Sequence, residues 1–168
     1  MAGANVRRRG MGHPEPPAVR DRRSKRDENR AMNAPHRDHV TGLETRATLQ
    51  AFLDARDVST PLAVVLCDVV GLKAANDRDG FSAGDAVLRR AADRLRTAAA
   101  GAAVIARLGG DECVAVFIGA AATEAATQAR ERLATPGDPA LRAAAGVLRP
   151  GETVPAFVDR LYAILRRS

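Results

Sequence analysis

The chain has 168 residues, 46% hydrophobic, 27% charged and 3% aromatic, with two cysteines and a formal net charge of +6. This balance describes one soluble globular domain. It excludes a membrane span of roughly 20 apolar residues, a secretory signal behind the first arginines, and a disulfide framework or four-cysteine zinc site. The charge is uneven: residues 1–39 carry 10 Lys+Arg against 5 Asp+Glu, and residues 40–168 carry 16 against 15.

The basicity therefore belongs to a tail, and a near-neutral domain follows. Residues 1–37 hold Arg7-Arg8-Arg9, a His-Pro-Glu-Pro-Pro run and a mixed-charge stretch, with almost no aliphatic bulk. Such a segment cannot offset its ordering entropy by burial, so a disordered basic tail is expected there and a domain over 38–168. With so few aromatics to stack bases, no specific nucleic-acid partner is implied. With no export signal, the expected place is the reducing cytoplasm. His13, His36 and His39 read as solvated side chains.

Apolar spacing predicts a helix over 45–56. Leu62–Val70 is an apolar run broken only by Cys67 and Asp68, as in a buried central strand. A short helix over 72–78 follows, then a longer one to about residue 100 with Ser82 as its expected N-cap. Strands over 103–108 and 113–118 flank a four-residue turn, Gly109-Gly110-Asp111-Glu112. A helix over 121–133, a strand over 141–148 and a helix over 154–166 complete the chain. The order implies an α/β fold with helices over a mostly antiparallel sheet.

Asp68 is the most informative residue, because a carboxylate ending an apolar strand is costly unless a cation or donor meets it. Asp111 and Glu112 sit in the Gly-Gly turn. If that hairpin lies beside the Asp68 strand, three carboxylates converge and repel one another unless divalent cations bind. Hard oxygen donors of this kind suit Mg²⁺ or Mn²⁺ shared with substrate phosphates. The two glycines leave room for a phosphate chain near the backbone. Cys67 and Cys113 read as small buried thiols rather than a redox switch.

Four linked motifs stand in order: Asp38-His39-Val40-Thr41-Gly42-Leu43, Asp68-Val69-Val70-Gly71-Leu72-Lys73-Ala74-Ala75-Asn76-Asp77, Gly84-Asp85, and Arg107-Leu108-Gly109-Gly110-Asp111-Glu112-Cys113. Together they closely resemble the GGDEF family, the diguanylate cyclases, over residues 38–118 and more loosely over 140–166. The resemblance implies a fold like the palm of nucleotide cyclases and polymerases. It implies condensation of two GTP into cyclic di-GMP and two pyrophosphates, with one GTP per subunit and a homodimer joining two half-sites. It implies two Mg²⁺ or Mn²⁺ ions per active half-site, held by Asp68, Asp111 and the backbone carbonyl of Val69. Glu112 would be the second catalytic carboxylate of the signature and Lys73 a phosphate cation, with Arg107 a weaker one. Asn76 and Asp85 would read the guanine edge, and Gly109 and Gly110 would lie against the phosphates. The Thr41-Gly42-Leu43 wedge would be structural.

The chain also departs from the family. Cys113 replaces the final Phe of the signature, Val70 a second strand-end Asp, and Phe81 a His. Ala100 and Ala103 replace the Arg and Asp of the inhibitory product site, so no product inhibition is expected there. In the last helix Tyr162 anchors the alignment, Leu165 takes the place of a phosphate-binding Lys, and Arg166 is adjacent. These changes support a second reading, a catalytically degenerate GTP-binding module that acts by interaction. No sensory domain or coiled coil is recognisable, so a separate regulatory or dimerising protein is expected.

Overall fold

The computed structural model describes residues 37–167. The expected tail falls almost wholly on residues 1–36, outside the described residues, as do His13 and His36. The chain forms β1 (Glu44–Thr45), α1 (Arg46–Ala55), β2 (Leu62–Val69), α2 (Leu72–Asp79), α3 (Phe81–Ala98), β3 (Val104–Gly109), β4 (Glu112–Ile118), α4 (Ala122–Ala134), β5 (Leu141–Val147) and α5 (Val154–Leu165). The five strands form one sheet in the order β1-β3-β4-β2-β5. All pairings are antiparallel except the short parallel pair of β1 with β3.

β2 is an interior strand between β4 and β5, and all eight of its residues are buried. Its alternating side chains feed two cores, as the two-residue period of a strand requires. Ala63, Val65 and Cys67 pack with Ala92 and Leu95 of α3 and Ala126 and Leu133 of α4. Leu62, Val64 and Leu66 pack with Leu49 of α1 and Phe157, Leu161 and Leu165 of α5. Asp68 continues the second series, so it stands on the α1/α5 face.

Cys67 and Cys113 are Cα partners on the α3/α4 face, and both are buried free thiols. Burial raises the pKa of each, Cys113 to about 12. Neutral thiols of this kind are poor nucleophiles and packing residues, as expected.

Local sequence sets most boundaries. Thr45 caps α1 by accepting from the Thr48 backbone N–H at 3.3 Å. Ser82, in contrast, is not a cap. Gly80, with φ +83°, both ends α2 and starts α3, so the second helix begins at Phe81 and Ser82 falls inside it. A left-handed glycine joins two helices through one residue, which no side-chain cap achieves. The β3–β4 turn is tighter than the four residues expected. Gly109 and Glu112 pair across it, and the register slips between Arg107 and Gly109. Only Gly110 (φ +52°) and Asp111 form its tip.

Small residues on β5 let α5 approach the sheet. A Cβ on Gly146 would lie 2.9 Å from Leu161 Cδ2 and 3.2 Å from Phe157 Cε2. Gly146→Val is therefore expected to cost about 1–3 kcal/mol by overpacking, read as a lower urea midpoint; an unchanged midpoint would contradict this packing.

Candidate active site

The site gathers at the end of β2. The Val69 backbone N–H donates to the Asp111 carbonyl at 3.1 Å, which fastens the hairpin tip to the strand end. Gly71, with φ +80°, then starts α2. The result is an open cleft of about 470 Å³ lined by Leu72, Lys73, Asn76, Asp77, Phe81, Gly110 and Asp111. A Cβ on Gly109 or Gly110 would meet nothing of the protein within 4 Å. Their positive φ angles require glycine, and the space above them is free for a ligand.

Lys73 is exposed and pairs with Asp77 one turn on, Nζ to Oδ2 at 2.7 Å. An exposed pair of this type is weak, so the ammonium is easily recruited by a phosphate. Asn76 lies against α3, and a Cβ on Gly84 would overlap its Oδ1 at 1.8 Å. Gly84 thus leaves room for the Asn76 side chain across the α2–α3 junction, while Asp85 itself is not among the residues that line the cleft. Asp85 is half-buried on α3 and lies 4.0 Å from Arg89. Phe81 is 83% exposed at the cleft.

The carboxylates are arranged differently from the expected convergence. Asp68 stands directly opposite Glu112 on β4 and opposite Arg142 on β5. Cross-strand partners share a face, so Arg142, Asp68 and Glu112 form a row on the α1/α5 side. Arg142 donates to Asp68 Oδ2 from Nε at 3.1 Å and also from Nη2. Glu112 Oε2 accepts from the Tyr162 hydroxyl at 3.0 Å. Burial first, and then the Glu112 carboxylate, push the Tyr162 phenol above its ordinary pKa. Asp111 projects from the turn that lines the cleft. Among the described residues no group of three His, Cys, Asp or Glu side chains is placed to hold a metal ion. The repulsion expected of three converging carboxylates is relieved here by an arginine and a tyrosine. The oxygen donors of Asp68, Asp111 and the Val69 carbonyl still have the chemistry of a hard divalent cation, and the Arg142 pairing leaves Asp68 Oδ1 uncommitted to it.

Sequence reasoning missed Arg142. No motif marks it; only the β2–β5 register places it opposite Asp68. Tyr162 served as an alignment anchor, and its bond to Glu112 also depends on the tertiary structure. Arg107, expected as the weaker phosphate cation, has protein partners in the structure. Its guanidinium pairs with Asp38 at 3.1 Å and donates to the Gly110 carbonyl at 3.1 and 2.6 Å. Leu165, at the family's lysine position, is buried against the sheet, and Arg166 is exposed at the helix end.

A mostly antiparallel sheet between helices, with a carboxylate-ended interior strand beside a Gly-Gly hairpin, defines a palm-like α/β domain. The family model described as diguanylate cyclase, GGDEF domain, matches residues 35–145, and the chain belongs to that family. The match stops before α5, where the sequence resemblance is loose. An uncharacterized signaling protein of Caulobacter vibrioides is 40% identical over 130 residues, 71% of this chain and 16% of that protein. Diguanylate cyclase TpbB of Pseudomonas aeruginosa is 39% identical over 92 residues, 51% of this chain and 21% of TpbB. The chain thus spans a minor part of the length of these two relatives. A solved sensory box/GGDEF family protein of Caulobacter crescentus CB15 superposes with a TM-score of 0.62 at 34% identity, covering 79% of this chain and 97% of that one. No helix among the described residues is long and apolar enough to cross a membrane.

The Asp38 clamp gives a pH signature. Burial by itself would raise the Asp38 pKa, but the Thr41 hydroxyl and N–H, with Arg107, hold it below the ordinary value. A carboxyl depressed in this way contributes stability above its unfolded pKa of about 3.9 and loses it as pH falls through the folded value. Asp38→Asn is expected to cost about 1–2 kcal/mol near neutral pH. In urea titrations the gap to wild type should narrow progressively as pH drops below about 3.9; a gap that does not narrow on acidification would contradict the clamp.

Proposed function

We propose that the domain is a diguanylate cyclase that binds GTP in the α2–hairpin cleft and condenses two GTP into cyclic di-GMP across a homodimer. The observation that carries this reading is the meeting of Lys73, Asn76, Gly110 and Asp111 around one open cleft. Asn76 and Asp85 suit the guanine edge: an Asp accepts from a ring N–H and an amine together, and an Asn both donates and accepts. Lys73 supplies a cation for the phosphates, and the bare backbone at Gly109 and Gly110 lets them approach. Asp68, Asp111 and the Val69 carbonyl would hold Mg²⁺ or Mn²⁺, which when bound acidifies an attacking hydroxyl and offsets triphosphate charge. Glu112, oriented by Tyr162, is the second acidic group at the sheet end. The described residues form one such cleft, so joining two nucleotides in line calls for two copies, and holding them there contributes much of the rate. The named cyclase activity of TpbB supports the reaction class.

A specific observation favours a second reading. Arg142 holds Asp68, and the buried Leu165 leaves α5 without its phosphate cation. A domain so altered could bind GTP and act through a partner without turnover.

Purified protein incubated with GTP and Mg²⁺ or Mn²⁺, followed by nucleotide separation, distinguishes the two readings. Cyclic di-GMP formation that rises more than linearly with enzyme concentration is expected, and Asp111→Ala should abolish it with circular dichroism unchanged. No product at high enzyme concentration, with GTP binding retained, would overturn the cyclase and leave the binding module. Gly84→Ala is expected to weaken GTP binding about tenfold, the worth of one hydrogen bond lost as Asn76 is displaced. Equal affinity in an equilibrium titration would remove Asn76 from the guanine site.

A further inference from the structure

The ion pair at the sheet end occupies a carboxylate that the nucleotide reading gives to the metal. Asp68 is covalently fixed at the end of the interior strand β2, and the β2–β5 register fixes Arg142 opposite it. Two guanidinium N–H groups converge on one carboxylate oxygen, Asp68 Oδ2. On the other side of Asp68 stands Glu112, a second carboxylate at a directly opposed position. Two like charges at that spacing destabilise a sheet, and the guanidinium is the cation that meets the buried one. The Asp68 side chain is 12% exposed and that of Arg142 is 49% exposed. The arginine head therefore has solvent to retreat into, whereas the carboxylate does not.

A cation tethered on the neighbouring strand is present at high effective concentration. Any free cation that uses Asp68 must displace it or share the carboxylate with it. We propose that Arg142 is a built-in counter-cation that competes with the divalent metal for Asp68, so that metal binds against the pull of this arginine on the carboxylate. The inference rests on the nucleotide reading given above. It assigns Arg142 as a positioning residue that lowers metal affinity and keeps the empty sheet end stable.

Both effects are measurable without turnover. The probe is Mn²⁺, titrated by electron paramagnetic resonance into the full chain with a non-hydrolysable GTP analogue. Arg142→Gln is expected to tighten Mn²⁺ binding about tenfold, within the usual range of coupling between two linked sites. Arg142→Lys, which keeps the charge, should stay near wild type. In an Asp68→Asn background Arg142→Gln should have no effect, since the double-mutant cycle removes the contested ligand. Thermal melts should show the counterpart: Arg142→Gln melts lower than wild type without metal and gains more from added Mn²⁺. Equal Mn²⁺ affinity in wild type and Arg142→Gln would overturn the competition alone. Weaker binding in Arg142→Gln would also overturn it, making the arginine a partner of the bound phosphates. If neither protein binds Mn²⁺ with the analogue, this inference and the nucleotide reading fall together. Should Arg142→Gln fail to fold, Arg142→Met in the same titration decides the question.

Discussion

A strand buried at every position has to end in a carboxylate, and much of this domain is organised around that constraint. β2 lies between β4 and β5 with apolar side chains on both faces until Asp68. Burying such a group uncompensated would cost several kcal/mol. The neighbouring strands answer unequally: β5 brings Arg142 and β4 brings a second acid, Glu112, which in turn is held by Tyr162 from α5. Charge, sheet register and the placement of the last helix are therefore linked. The backbone bond from Val69 to Asp111 extends the linkage to the hairpin tip.

The hairpin is held from its other side as well. Arg107 joins Asp38 to the Gly110 carbonyl, and Arg96 of α3 donates to the Thr41 carbonyl at 2.8 Å. Thr41 is buried and donates its hydroxyl to Asp38 at 2.7 Å. The segment before β1 is thus a wedge between α3 and the glycine turn. It positions the turn without lining the cleft, in keeping with a structural role.

Much of this was legible in the chain. Continuous apolarity identified β2 as a buried interior strand, and helical spacing located each helix within a few residues. Glycine pairs marked the hairpin, and linked motifs placed Lys73, Asn76 and Asp111 in one site. What could not be read is what depends on register or on the two faces of a strand. Whether Asp68, Asp111 and Glu112 converge depends on which way each carboxylate turns, and spacing says nothing of that. Arg142 is 74 residues from Asp68 and sits in no motif. Arg107 looked free for a phosphate because Asp38, 69 residues away, is its partner only after folding. Ser82 is not a cap because a glycine two residues earlier already starts the helix.

The buried position of Leu165 also limits which substitutions α5 can accept there. Leu165, Leu161 and Phe157 form the stripe by which α5 grips the sheet. A lysine reinstated at 165 would begin life in that apolar layer, where its ammonium is unwelcome. Bringing Arg166 to the same bearing means turning the helix by one residue, about 100°, which lifts the whole stripe off its seat. Neither single step passes through a well-packed protein, so the change behaves as a ratchet. A lineage under selection for a phosphate cation would find it more readily on the strands, whose exposed ends can change without unseating a helix.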